Sequence, residues 1–261
     1  MPELFWTHSS ELPEGVGTPN FGATHLTWLL CSFAIIVITV LLLRKAGKPI
    51  SNRIQRILII CAVVLEFSRW IWAAIIGHYT IVEMLPLHLC SLSIWMELAA
   101  IFSGKQLLKD FGYALCLPGA LAALATPDWS VYPLFSFQYL HSITVHSLLL
   151  LIPAIWVWSD KFRPNYKNLL KCFGILMLFV VPVFGLNHVL GSNYLFLREA
   201  PKDTPLELFE YLCGNPGYLF PLFMLLIVIW IILYLPWAIS DIIKSRRKKT
   251  IKTEQSAQES L

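Results

Sequence analysis

Seven apolar runs are spaced along the chain, at roughly 24–43, 57–76, 85–102, 111–125, 139–158, 170–190 and 217–237. Most approach the ~20 residues a helix needs to cross the hydrocarbon core of a bilayer. The pattern predicts an all-α fold, a polytopic membrane helix bundle of about seven crossings. The fourth run is the shortest, and Pro118-Gly119 interrupts it.

The breaks between runs differ in charge. Arg44, Lys45, Lys48, Arg53 and Arg56 lie between the first and second runs, Lys105 and Lys109 between the third and fourth, and Lys161, Arg163, Lys167 and Lys171 between the fifth and sixth. Lys244, Arg246, Arg247, Lys248, Lys249 and Lys252 follow the seventh, so 17 of the 20 basic residues fall on one side. Cytoplasmic loops collect Lys and Arg, which makes that side the inside. Without the fourth crossing, the four-charge loop after the fifth would lie outside, so the fourth run is kept. The other side carries Glu3, Glu11, Glu14, Glu83, Asp128, Glu199, Asp203, Glu207 and Glu210, with only Arg198 and Lys202. The expected organisation is an extracellular segment at 1–23, a membrane domain at 24–238 and a basic, unstructured cytoplasmic tail at 239–261. The loop at 126–138 strings Trp129, Tyr132, Phe135 and Phe137 between prolines, as an aromatic interfacial belt or a re-entrant lid would.

Composition agrees with this reading. Apolar residues make up 57% of the chain and charged ones 14%, where a soluble domain carries roughly 25% charge. The mean hydropathy is +0.65. The first 22 residues hold no Lys or Arg and no apolar core, so a cleavable signal peptide is not expected there. Among six cysteines there is no CxxC or zinc-finger spacing, so neither a disulfide framework nor structural zinc is expected. No internal repeat suggests a transporter made of two halves.

Polar residues inside the runs are the candidate chemistry. Glu66 and Arg69 sit near the middle of the second run, three apart and therefore on one helical face, where they can pair. Ionisable groups at that depth cost about 2.5–3.5 kcal/mol on insertion scales and face the bundle interior, as a packing ion pair or as the border of a polar pocket. In the third run Pro86, Cys90, Ser93 and Glu97 form one helical stripe, with Ser91 next to Cys90. On a regular helix His88 lies nearly opposite Cys90; both reach one cavity only if Pro86 makes the first turn irregular. In the fifth run Ser142 and His146 share a face, and His141 points elsewhere. Cys90 and His146 lie about five and seven residues from the outer ends of their runs, within one turn in depth at 1.5 Å per residue. The sixth run ends in Asn187-His188, followed by Gly191-Ser192-Asn193-Tyr194. These groups gather in the outer half of the bundle.

The order Glu66 to Arg69, Leu85-Pro86-Leu87-His88-Leu89, His146 followed by Pro153, and Asn193 resembles the YwaF family of bacterial integral membrane proteins, itself similar to the eukaryotic transmembrane-164 acyltransferase-like family. The likeness spans roughly residues 60–225. It implies a plasma-membrane enzyme that transfers or hydrolyses lipid acyl groups through a Thr or Cys nucleophile and a histidine, the histidine being His146. Where the eukaryotic pattern reads Pro-Cys-His, this chain reads Pro86-Leu87-His88. Cys90 lies one turn deeper and about 60° around the helix from that position. Such chemistry requires Cys90 as thiolate nucleophile and His146 as its base, because a thiol of pKa near 8.5 must be deprotonated to attack an ester well. Ser91, Asn187 and Asn193 are donor types suited to an oxyanion, and Glu66, Arg69, His88, His141, Ser142 and His188 complete the expected substrate-binding set.

Two other classes compete. One is a transporter, flippase or binding protein whose pocket holds a lipid without chemistry; Pro118-Gly119, Pro153 and Pro182 are where its helices would break. The other is a metal-dependent hydrolase using His88, His141, His146 or His188. The five-residue spacing of His141 and His146 departs from the i,i+4 pair that helical ligands favour, which ranks it last. No cofactor is expected; the partner is membrane lipid, not nucleic acid. A reporter active only in the cytoplasm, fused after Lys45, Lys109, Lys167 or Arg247, should give signal; fused after Glu14, Glu83, Asp128 or Asp203 it should not. Signal at the Asp128 fusion would remove the fourth crossing.

Overall fold

A computed structural model describes residues 4–202 and 204–259, with side chains through residue 245. Every regular element among the described residues is helical. The main helices are α1 (Ala23–Ala46), α2 (Lys48–Ile75), α3 (Leu89–Ser103), α4 (Gln106–Phe111), α5 (Leu117–Ala125), α6 (Phe137–Ala154), α7 (Leu169–Leu190), α8 (Pro205–Cys213) and α9 (Leu219–Glu259). Met1–Leu222 forms one compact unit and Phe223–Leu261 a second.

Among the described residues, six helical stretches are long and apolar enough to cross a membrane: Ala23–Ala46, Lys48–Ile75, Gln106–Val131, Phe137–Ser159, Tyr166–Leu190 and Leu219–Ser245. The run interrupted by Pro118-Gly119 is one of them. Gly112–Cys116 forms a single π-helical turn that joins α4 to α5 without a break. Proline lacks an N–H and clashes with the carbonyl four residues back, here that of Ala114. That carbonyl lies inside the widened turn, so the helix absorbs Pro118.

The shortened element is the third. Helix was expected from residue 85, and α3 starts only at Leu89. Its 15 residues rise about 22 Å, less than the ~30 Å core. His88 caps it in extended conformation, at φ −75° and ψ 156°. Pro86 removes one helical donor and biases Leu85 away from the α region, so the polypeptide enters this segment non-helical.

Within the first unit α6 is the central helix. Of its apolar window 72% is buried, against 22% for α1 and 11% for the span that holds α7. It packs on α2, α3, α5 and α1, and α2 also packs on α3. A single residue, Gly47, separates α1 from α2, and its φ of +85° is one that side chains with a Cβ rarely adopt. At the end that carries the basic loops, polar groups tie the helices together. Asp160 accepts from Ser51 Oγ at 2.7 Å and Gln55 Nε2 at 2.8 Å, and the Gln55 carbonyl accepts from Trp156 Nε1 at 2.8 Å. Asp110 accepts from Gln106 Nε2, the Asn165 amide and Asn168 Nδ2.

The second unit continues as helix backbone to Glu259, where an unstructured tail was expected. The side chains of Arg246, Arg247, Lys248, Lys249 and Lys252 lie outside the described residues, as do Glu3 and Asp203.

Gly112 shows how tight the centre is. A Cβ there would stand 2.6 Å from Cζ3 of fully buried Trp156, whereas at Gly174 it would meet nothing within 4 Å. Gly112→Ala should therefore cost about 1–3 kcal/mol through overpacking and lower the melting temperature in detergent. Gly174→Ala should leave it unchanged or raise it slightly, by helix propensity.

Candidate functional site

An ion pair on α2 begins the site. Spacing of three brings Arg69 Nη2 to 3.5 Å from Glu66 Oε1, with the Glu66 side chain 3% and the Arg69 side chain 14% exposed. Ser91, from the first turn of α3, donates its hydroxyl to the same Oε1 at 2.7 Å. A buried carboxylate needs a cation and hydrogen-bond donors together, and here it has both. Arg69 Nη1 also reaches Met84 Sδ at 3.6 Å, in the segment before α3. A long ionic contact and one to sulfur leave most of the five guanidinium donors unspent.

Arg69 is the common neighbour of the remaining groups. His88, Cys90, Asp128, His141, His146 and Tyr194 all lie within Coulombic range of it. On a regular helix His88 and Cys90 would diverge. The extended backbone at His88 removes that restriction, and both lie within Coulombic range of the one guanidinium. The His88 ring leans on Tyr194 and Phe196, with centroids 5.0 and 5.7 Å away.

His146 is held on two sides. Its Nδ1 lies 2.7 Å from the Ser142 carbonyl, one turn back on α6. Only a protonated Nδ1 can donate there, so in the neutral ring Nε2 is left with the free lone pair. Trp129 stacks on the imidazole at 4.6 Å and 23°. The aromatic loop thus enters the site through Trp129, which is buried, while Phe135 stays exposed. His141 points toward α2, donating from Nε2 to the Leu65 carbonyl at 3.0 Å, and its buried Nδ1 has no partner. Cys90 is half-buried. No hydrogen bond joins it to His146 among the described residues. Ser142 Oγ accepts from Gln138 at 3.3 Å.

Three expected residues are engaged elsewhere. Asn187 is fully buried; its oxygen accepts from Ser192 Oγ and the Tyr194 amide, and its nitrogen donates to the Tyr194 carbonyl. Asn193 accepts from the amides of Arg198 and Glu199 and donates to the Glu199 carbonyl. Both asparagines therefore organise the 191–199 loop. His188 is exposed, and its Nδ1 lies 2.8 Å from the Phe184 carbonyl. The loop still reaches the site through its aromatic residues. The Tyr194 hydroxyl accepts from the Leu85 amide at 3.0 Å and donates to the Ile81 carbonyl at 2.7 Å, propping the strand of chain that presents His88.

Tyr194, Trp129 and Met84 were not anticipated as site residues. Tyr194 and Trp129 stand in sequence stretches already marked as unusual; nothing in the sequence points to Met84. Glu97, on the polar stripe of α3, is fully buried and neither of its oxygens has a hydrogen-bond partner. Among the described residues no three His, Cys, Asp or Glu side chains are grouped as a metal ion would need.

Helices enclosing a cluster of ionisable groups define a polytopic membrane protein with an intramembrane polar site. Residues 20–234 match the sequence model of the TMEM164 family, and the chain belongs to that family. No curated protein and no solved structure matches it.

Removing either member of the Glu66–Arg69 pair leaves a buried charge without its partner, at about 3–5 kcal/mol. Glu66→Gln with Arg69→Gln should therefore be more thermostable than either single variant. A double variant as unstable as the worse single one would show that each charge has its own partner.

Proposed function

We propose that the chain is a plasma-membrane enzyme of a bacterium that acts on lipid acyl groups, as the resemblance to the YwaF family suggests. Cys90 is the nucleophile and His146 its base. The observation that carries this reading is the posture of His146: Nδ1 tied to a backbone carbonyl, the ring stacked on Trp129, and Nε2 left as the acceptor. A base held in one tautomer by a group behind it is what activation of a thiol requires.

In this scheme the Cys90 thiol gives its proton to His146 Nε2 and its sulfur attacks the ester carbonyl carbon of a lipid. The carbon–oxygen ester bond breaks, and the departing alcohol takes the proton from His146, leaving a thioester on Cys90. Water or the hydroxyl of a second lipid, deprotonated by the same nitrogen, then attacks the thioester and releases the thiol. Ser91 is committed to Glu66 and both asparagines to the 191–199 loop, so Arg69 is the donor best suited to the developing oxyanion or to an anionic head group.

One observation favours a second reading. Without a hydrogen bond between Cys90 and His146, the unspent donors of Arg69 suit a site that binds a lipid head group and does no chemistry. Turnover of a fluorescent phospholipid by purified protein in nanodiscs separates the two. His146→Ala should slow it by about 10²–10⁴-fold. Cys90→Ala should abolish it while phospholipid binding persists, and the double variant should be no slower than the slower single one. Full activity in Cys90→Ala would end the thiol mechanism; binding with no turnover in the wild type would establish the second reading.

A further inference from the structure

The chain ahead of α1 lies against the same end of the bundle as the polar site, and backbone hydrogen bonds hold it there. The Trp6 carbonyl accepts from Trp72 Nε1 at 3.0 Å, and the Phe5 carbonyl accepts from the Phe137 amide at 2.8 Å. The Ser9 amide donates to the Tyr132 hydroxyl at 3.1 Å, and the Thr18 amide to the Ser130 carbonyl at 2.7 Å. Three separate elements are bridged: the end of α2, the aromatic loop and the start of α6.

The contact continues inward through aromatic rings. Trp6 packs on Phe137 at 5.2 Å, Trp72 on Phe137 at 5.3 Å, and Phe137 on His141 at 5.8 Å. Trp72, Phe137 and Met84 form one apolar cluster, and Met84 carries the sulfur that Arg69 touches. Residues 4–18 thus rest on an apolar cluster that adjoins Arg69. Trp6 itself is 56% exposed.

A pair of histidines joins it to the rest. His8 stacks on His78, the rings 4.3 Å apart and 8° from parallel. His78 Nε2 lies 3.0 Å from Glu11 and His8 Nε2 lies 3.8 Å from Glu83. Tyr132 and Asp128 are the next titratable groups on the facing loop. Two imidazolium charges at that spacing repel one another. Coulombic repulsion from His78 opposes a proton on His8.

We propose that residues 4–18 are an acid-released cover over the mouth of the polar site, latched by the stacked His8–His78 pair. The sign follows from His8. Burial, and then His78, hold its pKa below the ordinary histidine value, while Glu83 and Glu11 oppose the shift. The folded cover therefore binds fewer protons than the released segment. Its stability is complete above the unperturbed pKa near 6.5 and is lost as pH falls through the lower, folded value. Release would free Trp6 and loosen Phe137 and Trp72, opening a path to His141 and Arg69. This inference is independent of whether the site does chemistry.

Hydrogen–deuterium exchange of the full chain in nanodiscs, corrected for intrinsic rate and compared at pH 7.5 and 5.5, reads the latch directly. In the wild type the amides of Ser9, Thr18 and Phe137 should lose protection at pH 5.5, while those of α6 beyond its first turn keep it. His8→Gln with His78→Gln should show the same protection at both values. Glu83→Gln, which removes a stabilising charge from protonated His8, should move the release midpoint to higher pH. Equal or greater wild-type protection at pH 5.5, or acid release that survives in the double glutamine variant, would overturn the proposal.

Discussion

A carboxylate and a guanidinium inside a bilayer can persist only as partners, and the Glu66–Arg69 pair sets much of the remaining arrangement. Neither group can turn to lipid, so α2 must present this face inward, against α3 and α6. Once inward, Glu66 requires more than one donor, and the first turn of α3 supplies Ser91. Arg69, satisfied in charge but not in hydrogen bonds, becomes the group around which three histidines and a cysteine are disposed. A hydrophobic replacement of the pair would pack as well and would lose this organising centre.

The irregular backbone before α3 serves the same centre. A helix from residue 85 would have sent His88 and Cys90 to opposite sides. Pro86 delays the helix, and the delay is stabilised from outside. Tyr194 takes the amide of Leu85 and the carbonyl of Ile81, two groups that a non-helical stretch in a partly apolar setting would otherwise leave unpaired. Asn187, buried and bonded through both its amide oxygen and nitrogen, in turn fixes Tyr194. The 191–199 loop thus acts on the site through Tyr194, which props the backbone before α3, and through the Tyr194 and Phe196 rings that pack on His88.

Much of this was legible in the sequence because membranes impose simple rules. Apolar run length marked the helices, and Glu66 with Arg69 marked an inward face by spacing alone. The fourth crossing was the weakest run, and the π turn at Gly112–Cys116, which carries the helix through Pro118, leaves no sequence signal. What depends on which side chains meet was hidden. Asn187 and Asn193 looked like donors for a ligand, yet their amides go to neighbouring backbone, because a short loop must satisfy its own polar groups first. His146 could be matched in depth to Cys90, but its tautomer depends on the contact of Nδ1 with the Ser142 carbonyl, which spacing alone does not show. His8 and His78 are 70 positions apart, and no periodicity links them.

The functional account reduces to one bond, a thioester between a lipid acyl group and Cys90. Purified protein incubated with a phospholipid of defined chains, quenched in acid, digested and analysed by mass spectrometry reports it directly. The account predicts an added acyl mass on the peptide carrying Cys90, removed by hydroxylamine and formed about 10²–10⁴-fold more slowly in His146→Ala. An acyl group on a different residue, or none while the lipid is still bound, would contradict it.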